Sequence, residues 1–153
     1  QVPRTIFVLN TAKSCKKEIG GIRYEAVKID SKKYYGVQKI KVEDQDVCVS
    51  DKERTLVDFA YNPLGSMRNF EISLQENINN IDIKKFISYL MKFPVVSVRK
   101  RAGFLLQELG CQDKALDSLR KSIGEKRVLV LLNPYNQSRK GKINKEWMVI
   151  VNR

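Results

Sequence analysis

The chain has 153 residues, 42% of them hydrophobic, with 29 Lys and Arg against 17 Asp and Glu, a net charge of +12 and no histidine. That length supports one well-filled core, or two small lobes sharing one, and the missing histidine removes the commonest general base, the commonest metal ligand and every Ser-His or Cys-His nucleophile. No apolar run reaches the roughly 18 to 20 residues of a membrane span, and the opening residues lack signal-peptide anatomy, so a single cytoplasmic domain with no cofactor, metal or membrane partner is expected.

Thr5-Ile-Phe-Val-Leu9 is rich in β-formers, and Arg23-Tyr-Glu-Ala-Val-Lys-Ile29 alternates polar and apolar residues behind the turn signal Gly20-Gly21. Both read as strands, with residues 11–18 between them a short helix or loop. Tyr35-Gly-Val-Gln-Lys-Ile-Lys-Val42 alternates again, and Asp46-Val-Cys-Val49 follows an acidic turn. A meander of short strands therefore leads into residues 50–63, which read as a capped helix. Ser50 and Glu53 have capping-box spacing, Leu56, Phe59 and Ala60 form an apolar stripe, Arg54 and Asp58 share a face as a candidate ion pair, and Pro63 ends the run.

Residues 64–69 read as a loop. Three further apolar stripes follow: Ile83, Phe86, Ile87 and Leu90 up to Pro94; Val98, Ala102, Leu105 and Leu109 up to Gly110; and Leu116, Leu119 and Ile123 up to Gly124. Helices joined by such short breaks should pack side by side. Arg127-Val-Leu-Val-Leu-Leu132 and Glu146-Trp-Met-Val-Ile-Val151 are apolar β-runs that suggest a terminal hairpin around a polar loop, its strands joining the N-terminal ones. The expected class is α+β: a short-strand sheet with a central group of about four helices inserted between N-terminal strands and a C-terminal β-hairpin.

Three cysteines, Cys15, Cys48 and Cys111, with no C-x-x-C spacing fit reduced, partly buried thiols better than a disulfide frame or a zinc site. Asp82-Ile-Lys84 matches the D-x-K core of metal-dependent nucleases. It lies where a helix starts and an aspartate serves as the N-terminal charge, and no neighbouring run supplies a partner carboxylate, so capping is the favoured reading.

The positive charge is uneven. Residues 1–50 hold 10 Lys/Arg and 6 Asp/Glu, residues 51–94 hold 6 and 6, and residues 95–153 hold 13 and 5. Clustering of this kind is the footprint of nucleic-acid contact, although an acidic protein surface would suit it too. Lys32, Lys33 and Tyr35, with Lys39 and Lys41, interleave cations with rings, either for phosphate contact and stacking or as core tyrosines beside solvated lysines. Arg139, Lys140 and Lys142 tip the long polar loop, where cations reach a phosphate backbone without a fixed groove. Arg99 and Lys100 are further candidate contacts, while Arg101, on another side of that turn, suits an internal pairing.

Three segments in series, Val49-Ser-Asp-Lys-Glu-Arg-Thr-Leu-Val-Asp58, Arg101-Ala-Gly-Phe-Leu-Leu-Gln-Glu-Leu-Gly110 and Lys145-Glu-Trp-Met-Val-Ile-Val-Asn152, resemble the AbiEi family of antitoxins and transcriptional regulators from two-gene abortive-infection toxin–antitoxin systems. The resemblance covers about residues 2–152. It implies a non-enzymatic antitoxin domain that counters a nucleotidyltransferase-like toxin and lies behind a winged helix-turn-helix that binds promoter DNA. No helix-turn-helix precedes Gln1 and the sequence does not open on methionine, so an upstream DNA-binding domain is expected in the full-length protein, with the basic surface as auxiliary DNA contact. The resemblance assigns Asp51, Arg54, Asp58, Arg101, Gly103, Leu106 and Trp147 to the shared pattern, mostly in structural roles. A glycine inside a helix costs about 1 kcal/mol against alanine, so a close helix or strand approach is expected at Gly103. The rival readings are a metal-dependent nuclease built on Asp82 and Lys84 and a general nucleic-acid-binding module.

Overall fold

A computed structural model describes residues 5–63, 66–124 and 128–153. They form an α+β protein with five α-helices and eight strands among the described residues, the helices lying between two groups of strands as expected. The chain divides into two compact units, the first ending at Tyr35 and the second running from Gly36 to Arg153.

The first unit is a three-stranded sheet of order β1-β3-β2, built from β1 (Thr5–Asn10), β2 (Cys15–Ile19) and β3 (Ile22–Lys28). β1 runs parallel to β3, and β2 runs antiparallel to it through the Gly20-Gly21 turn. The stretch read as a helix or loop therefore contains an edge strand. The Asn10 side chain organises residues 11–13, its Oδ1 accepting from the N–H groups of Ala12 and Lys13, and delivers the chain to that strand. A 3₁₀ turn, Ser31–Lys33, follows, with Asp30 accepting from the Lys32 N–H.

The second unit opens with an antiparallel ribbon, β4 (Val37–Val42) and β5 (Gln45–Ser50), and continues with α1 (Lys52–Tyr61), α2 (Met67–Asn77), α3 (Ile83–Lys92), α4 (Val96–Glu108) and α5 (Ala115–Ser122). No described residue between 5 and 50 is buried. The core lies among the helices and the last strands, with Val57, Phe70, Phe86, Leu90, Val98, Leu106 and Trp147 at 1% exposure or less. Helix α1 packs on α2, α3 and α4, and α4 also packs on α5 and on the C-terminal strands. Burying these stripes against one another is what makes helices of 8 to 13 residues stable.

Three expectations are corrected here. Residues 67–69 belong to α2, not to a loop, because the Ser66 hydroxyl caps a helix whose Met67, Phe70 and Leu74 face the core; Leu64 and Gly65 lie outside the described residues. The terminal hairpin is formed by β7 (Lys142–Asn144), taken from the polar stretch, with β8 (Val149–Val151), while β6 (Val130–Leu131) lies parallel to β8; Arg127 lies outside the described residues. The run 146–151 is broken because Met148 adopts a positive φ of 56° and Asn144 accepts from the Trp147 N–H, which turns the indole inward. These strands form their own sheet, of order β6-β8-β7, and do not join the N-terminal ones.

Cys15 and Cys48 are exposed and Cys111 is half-buried, so two of the thiols expected to be partly buried lie at the surface, and none forms a disulfide. No helix among the described residues is long and apolar enough to cross a membrane.

Candidate functional site

The capped helix of the first motif is the centre of a polar cluster joining α1 to α3. Its cap is Asp51, one residue later than the Ser50 capping box: Asp51 Oδ1 accepts from the Arg54 N–H at 2.7 Å, while the Ser50 hydroxyl bonds to the Thr55 hydroxyl. Glu53 does not reach back. It faces α3, accepting from the Asp82 N–H at 3.0 Å and pairing with Lys85 at 3.0 Å. Lys85 also pairs with Asp51 at 3.0 Å, and the Tyr89 hydroxyl donates to the same carboxylate oxygen.

Burial would push the Asp51 carboxyl up, but the Arg54 N–H, the Lys85 ammonium and the Tyr89 hydroxyl outweigh it and hold the group below its ordinary value. Burial likewise opposes, and the Asp82 N–H and Lys85 outweigh, a lowered value at Glu53. The two carboxylates in turn raise Lys85 well above the usual lysine range. On the next turn Arg54, 2% exposed, meets Asp58 with both arms of its fork, Nε to Oδ2 at 2.9 Å and Nη2 to Oδ1 at 2.8 Å, a bidentate pair beside the Phe93 ring. Every carboxylate of this cluster accepts from N–H groups or meets a cation, which is the chemistry of a helix clamp. Lys85 and Tyr89 were not anticipated. Their i, i+4 spacing shows only that the two share a face of α3 and carries no signal for their partners on α1.

The second and third motifs meet each other. Gly103 on α4 lies against the six-membered ring of Trp147, whose Nε1 donates to Gln107 one turn further on, so the close neighbour at this glycine is an indole from the turn before β8 and not the expected helix or strand. Leu106 is fully buried beside it. Arg101 Nε donates to the Leu131 carbonyl at 2.8 Å, an internal partner as its position suggested, and burial lowers the affinity of its guanidinium for the proton. Asn152, 2% exposed, holds the 133–136 turn by donating to the carbonyls of Asn133 and Asn136.

Two of the candidate contacts have internal partners. Lys100 is 3% exposed, its Nζ donating to the Val128 carbonyl at 2.6 Å, and burial lowers its pKa. Arg99 directs its guanidinium to the carbonyls of Leu90, Phe93 and Ser122, closing the C-terminal ends of α3 and α5. Arg99 thus satisfies carbonyls left open at helix C-termini, and Lys100 a carbonyl two residues before β6.

The other candidates are distributed. Lys32 is exposed, with Lys33 and Tyr35 half-buried, on the 3₁₀ turn of the first unit and the residues after it. Lys39 and Lys41 share one face of the β4–β5 ribbon, Lys41 standing opposite Asp46, and the ribbon tip carries Glu43 and Asp44, so this element is not a basic stripe. Arg139, Lys140 and Lys142 are exposed and lie close in sequence to exposed Lys145, making residues 139–145 the most concentrated free positive charge of the second unit's described surface. Asp82 caps α3 by accepting from the Lys85 N–H, and Lys84 is exposed. Among the described residues, no three His, Cys, Asp or Glu side chains gather as a metal site would need. No family model, curated protein or solved structure matches the chain.

Proposed function

We propose that this chain is the antitoxin and regulator domain of an abortive-infection toxin–antitoxin pair, countering a nucleotidyltransferase-like toxin and adding DNA contact to operon autoregulation. The observation that carries the reading is the serial resemblance of residues 49–58, 101–110 and 145–152 to the AbiEi pattern. The side chains of those segments support it in a specific way. Arg54 with Asp58, Arg101 with Leu131, and Gly103 with Trp147 are inward contacts that hold α1, α4 and the last strands, which suits a scaffold presenting a surface. The activity is then one of binding, with no covalent step assigned to any side chain. Arg139, Lys140 and Lys142, with Lys39 and Lys41, are the exposed candidates for phosphate contact on the second unit, and Lys32, beside Lys33 and Tyr35, on the first.

Co-expression of residues 1–153 with the neighbouring toxin gene tests the antitoxin role, and growth arrest as deep as with the toxin alone rejects it. Equal affinity of the full-length protein for its own promoter and for unrelated DNA rejects the regulator role. A general nucleic-acid-binding module is the second reading, supported by the same exposed 139–145 segment. A nucleotidyltransferase gene next door separates the two.

A further inference from the structure

We propose that the cleft between the C-terminal half of α4 and the β7–β8 hairpin binds a nucleoside 5′-monophosphate group, free or at the end of a nucleic-acid strand. The cleft holds about 500 Å³, inside the range of roughly 300–1,000 Å³ typical of small-molecule sites. Its lining divides by chemistry. Phe104, Ile143 and Val151 supply apolar wall, and Lys142, Asn144 and Lys145 supply donors.

The charges in this cleft are not balanced among themselves. Both of its carboxylates are engaged: Glu108 meets Arg153, and Glu146 accepts from Gln107 at 2.7 Å and from Arg120. Lys142 and Lys145 have no ion pair among the described residues. The Asn144 Oδ1 is taken by the Trp147 N–H at 2.9 Å, which leaves its amide NH₂ as a third donor without a described partner. Two ammonium groups and an amide among the lining residues match the acceptor-only oxygens of a phosphate monoester. The neighbouring apolar wall matches the face of a flat heterocycle, and a bare phosphate would leave it unused. The site does not depend on the toxin reading.

The test is a titration of the whole chain, followed by amide chemical shifts, with adenosine 5′-monophosphate, inorganic phosphate and a short oligonucleotide with or without a 5′-phosphate. The expected result is saturable shifts at Phe104, Lys142, Asn144 and Val151, and affinity reduced at least about tenfold in Lys142→Glu/Lys145→Glu, with Lys142→Arg retaining it. A response to the mononucleotide identifies a free ligand. A response confined to the 5′-phosphorylated strand identifies a strand terminus. Equal binding of inorganic phosphate and the mononucleotide, no response to the mononucleotide together with equal binding of the two oligonucleotides, or no saturable shift with any probe overturns the proposal.

Discussion

The indole of Trp147 occupies the volume that a side chain at position 103 would fill, so Gly103 is fixed by a contact 44 positions away in the chain. Alanine there gains about 1 kcal/mol of helix propensity, but its methyl must displace a ring that is 1% exposed and tethered through Nε1 to Gln107. Overpacking of a tight core costs about 1–3 kcal/mol. Gly103→Ala is expected to lower the urea midpoint without changing the slope. Trp147→Leu in the same background should remove most of that specific cost, read as coupling in a double-mutant cycle.

Arg54 and Asp58 make a second prediction through a buried charge. Truncating Asp58 to alanine removes the carboxylate that faces both arms of a guanidinium 2% exposed; with Asp58 itself 30% exposed, the cost falls below the roughly 3–5 kcal/mol of breaking a fully buried pair. The double variant Arg54→Met/Asp58→Ala removes the buried guanidinium as well and should lie closer to the parent than Asp58→Ala does. Equal destabilisation of the single and double variants would show that the guanidinium's other contacts, and not its charge balance, set the cost.

Helices α3, α4 and α5 were legible because each carries its own stripe, and the last two end before glycines, Gly110 and Gly124, that take positive φ. Helix α2 was hidden because Ser66-Met-Arg-Asn69 is mostly polar locally and its cap signal stands next to Pro63 and residues read as loop. Strand β2, Cys-Lys-Lys-Glu-Ile, has every residue exposed, so no alternation marks it, and only its pairing across the Gly20-Gly21 turn makes it a strand. The same limit governed the candidate contacts. Lys100 reads as a surface cation, but α4 is covered on most sides, and the Val128 carbonyl that receives its ammonium lies on a later segment. Lys85 meets Asp51 and Glu53 across two helices, a pairing that no local spacing encodes.

That same cluster contributes to the acid response. Asp51 and Glu53 have folded-state values below their ordinary 3.8 and 4.5, so the unfolded chain takes up protons first as the pH falls. Their contribution is present above pH 4.5 and is lost as the pH drops through the lowered folded values. Lys85, raised in the fold, acts at the other end: its contribution is complete below its ordinary 10.5 and is lost only as the pH rises through its folded value. Lys85→Met should therefore flatten the decline in urea midpoint between pH 5 and 3 (about the titration range of the two carboxylates). A decline as steep as in the parent would assign the acid sensitivity to other carboxylates.

Salt dependence separates buried from exposed cations in any binding to duplex DNA. Each phosphate neutralised by a lysine or arginine contributes about −0.9 to the slope of log affinity against log salt. Lys140 is exposed, whereas the Lys100 ammonium is held by the Val128 carbonyl at 3% exposure. Lys140→Gln should weaken DNA binding similarly for all sequences and make the slope shallower by up to about one unit. Lys100→Met removes a charge of the same sign and should leave the slope unchanged, because a charge that meets no phosphate releases no counterion. An equal change of slope in the two variants would show that net charge at a distance, and not contact by the 139–142 segment, carries the binding.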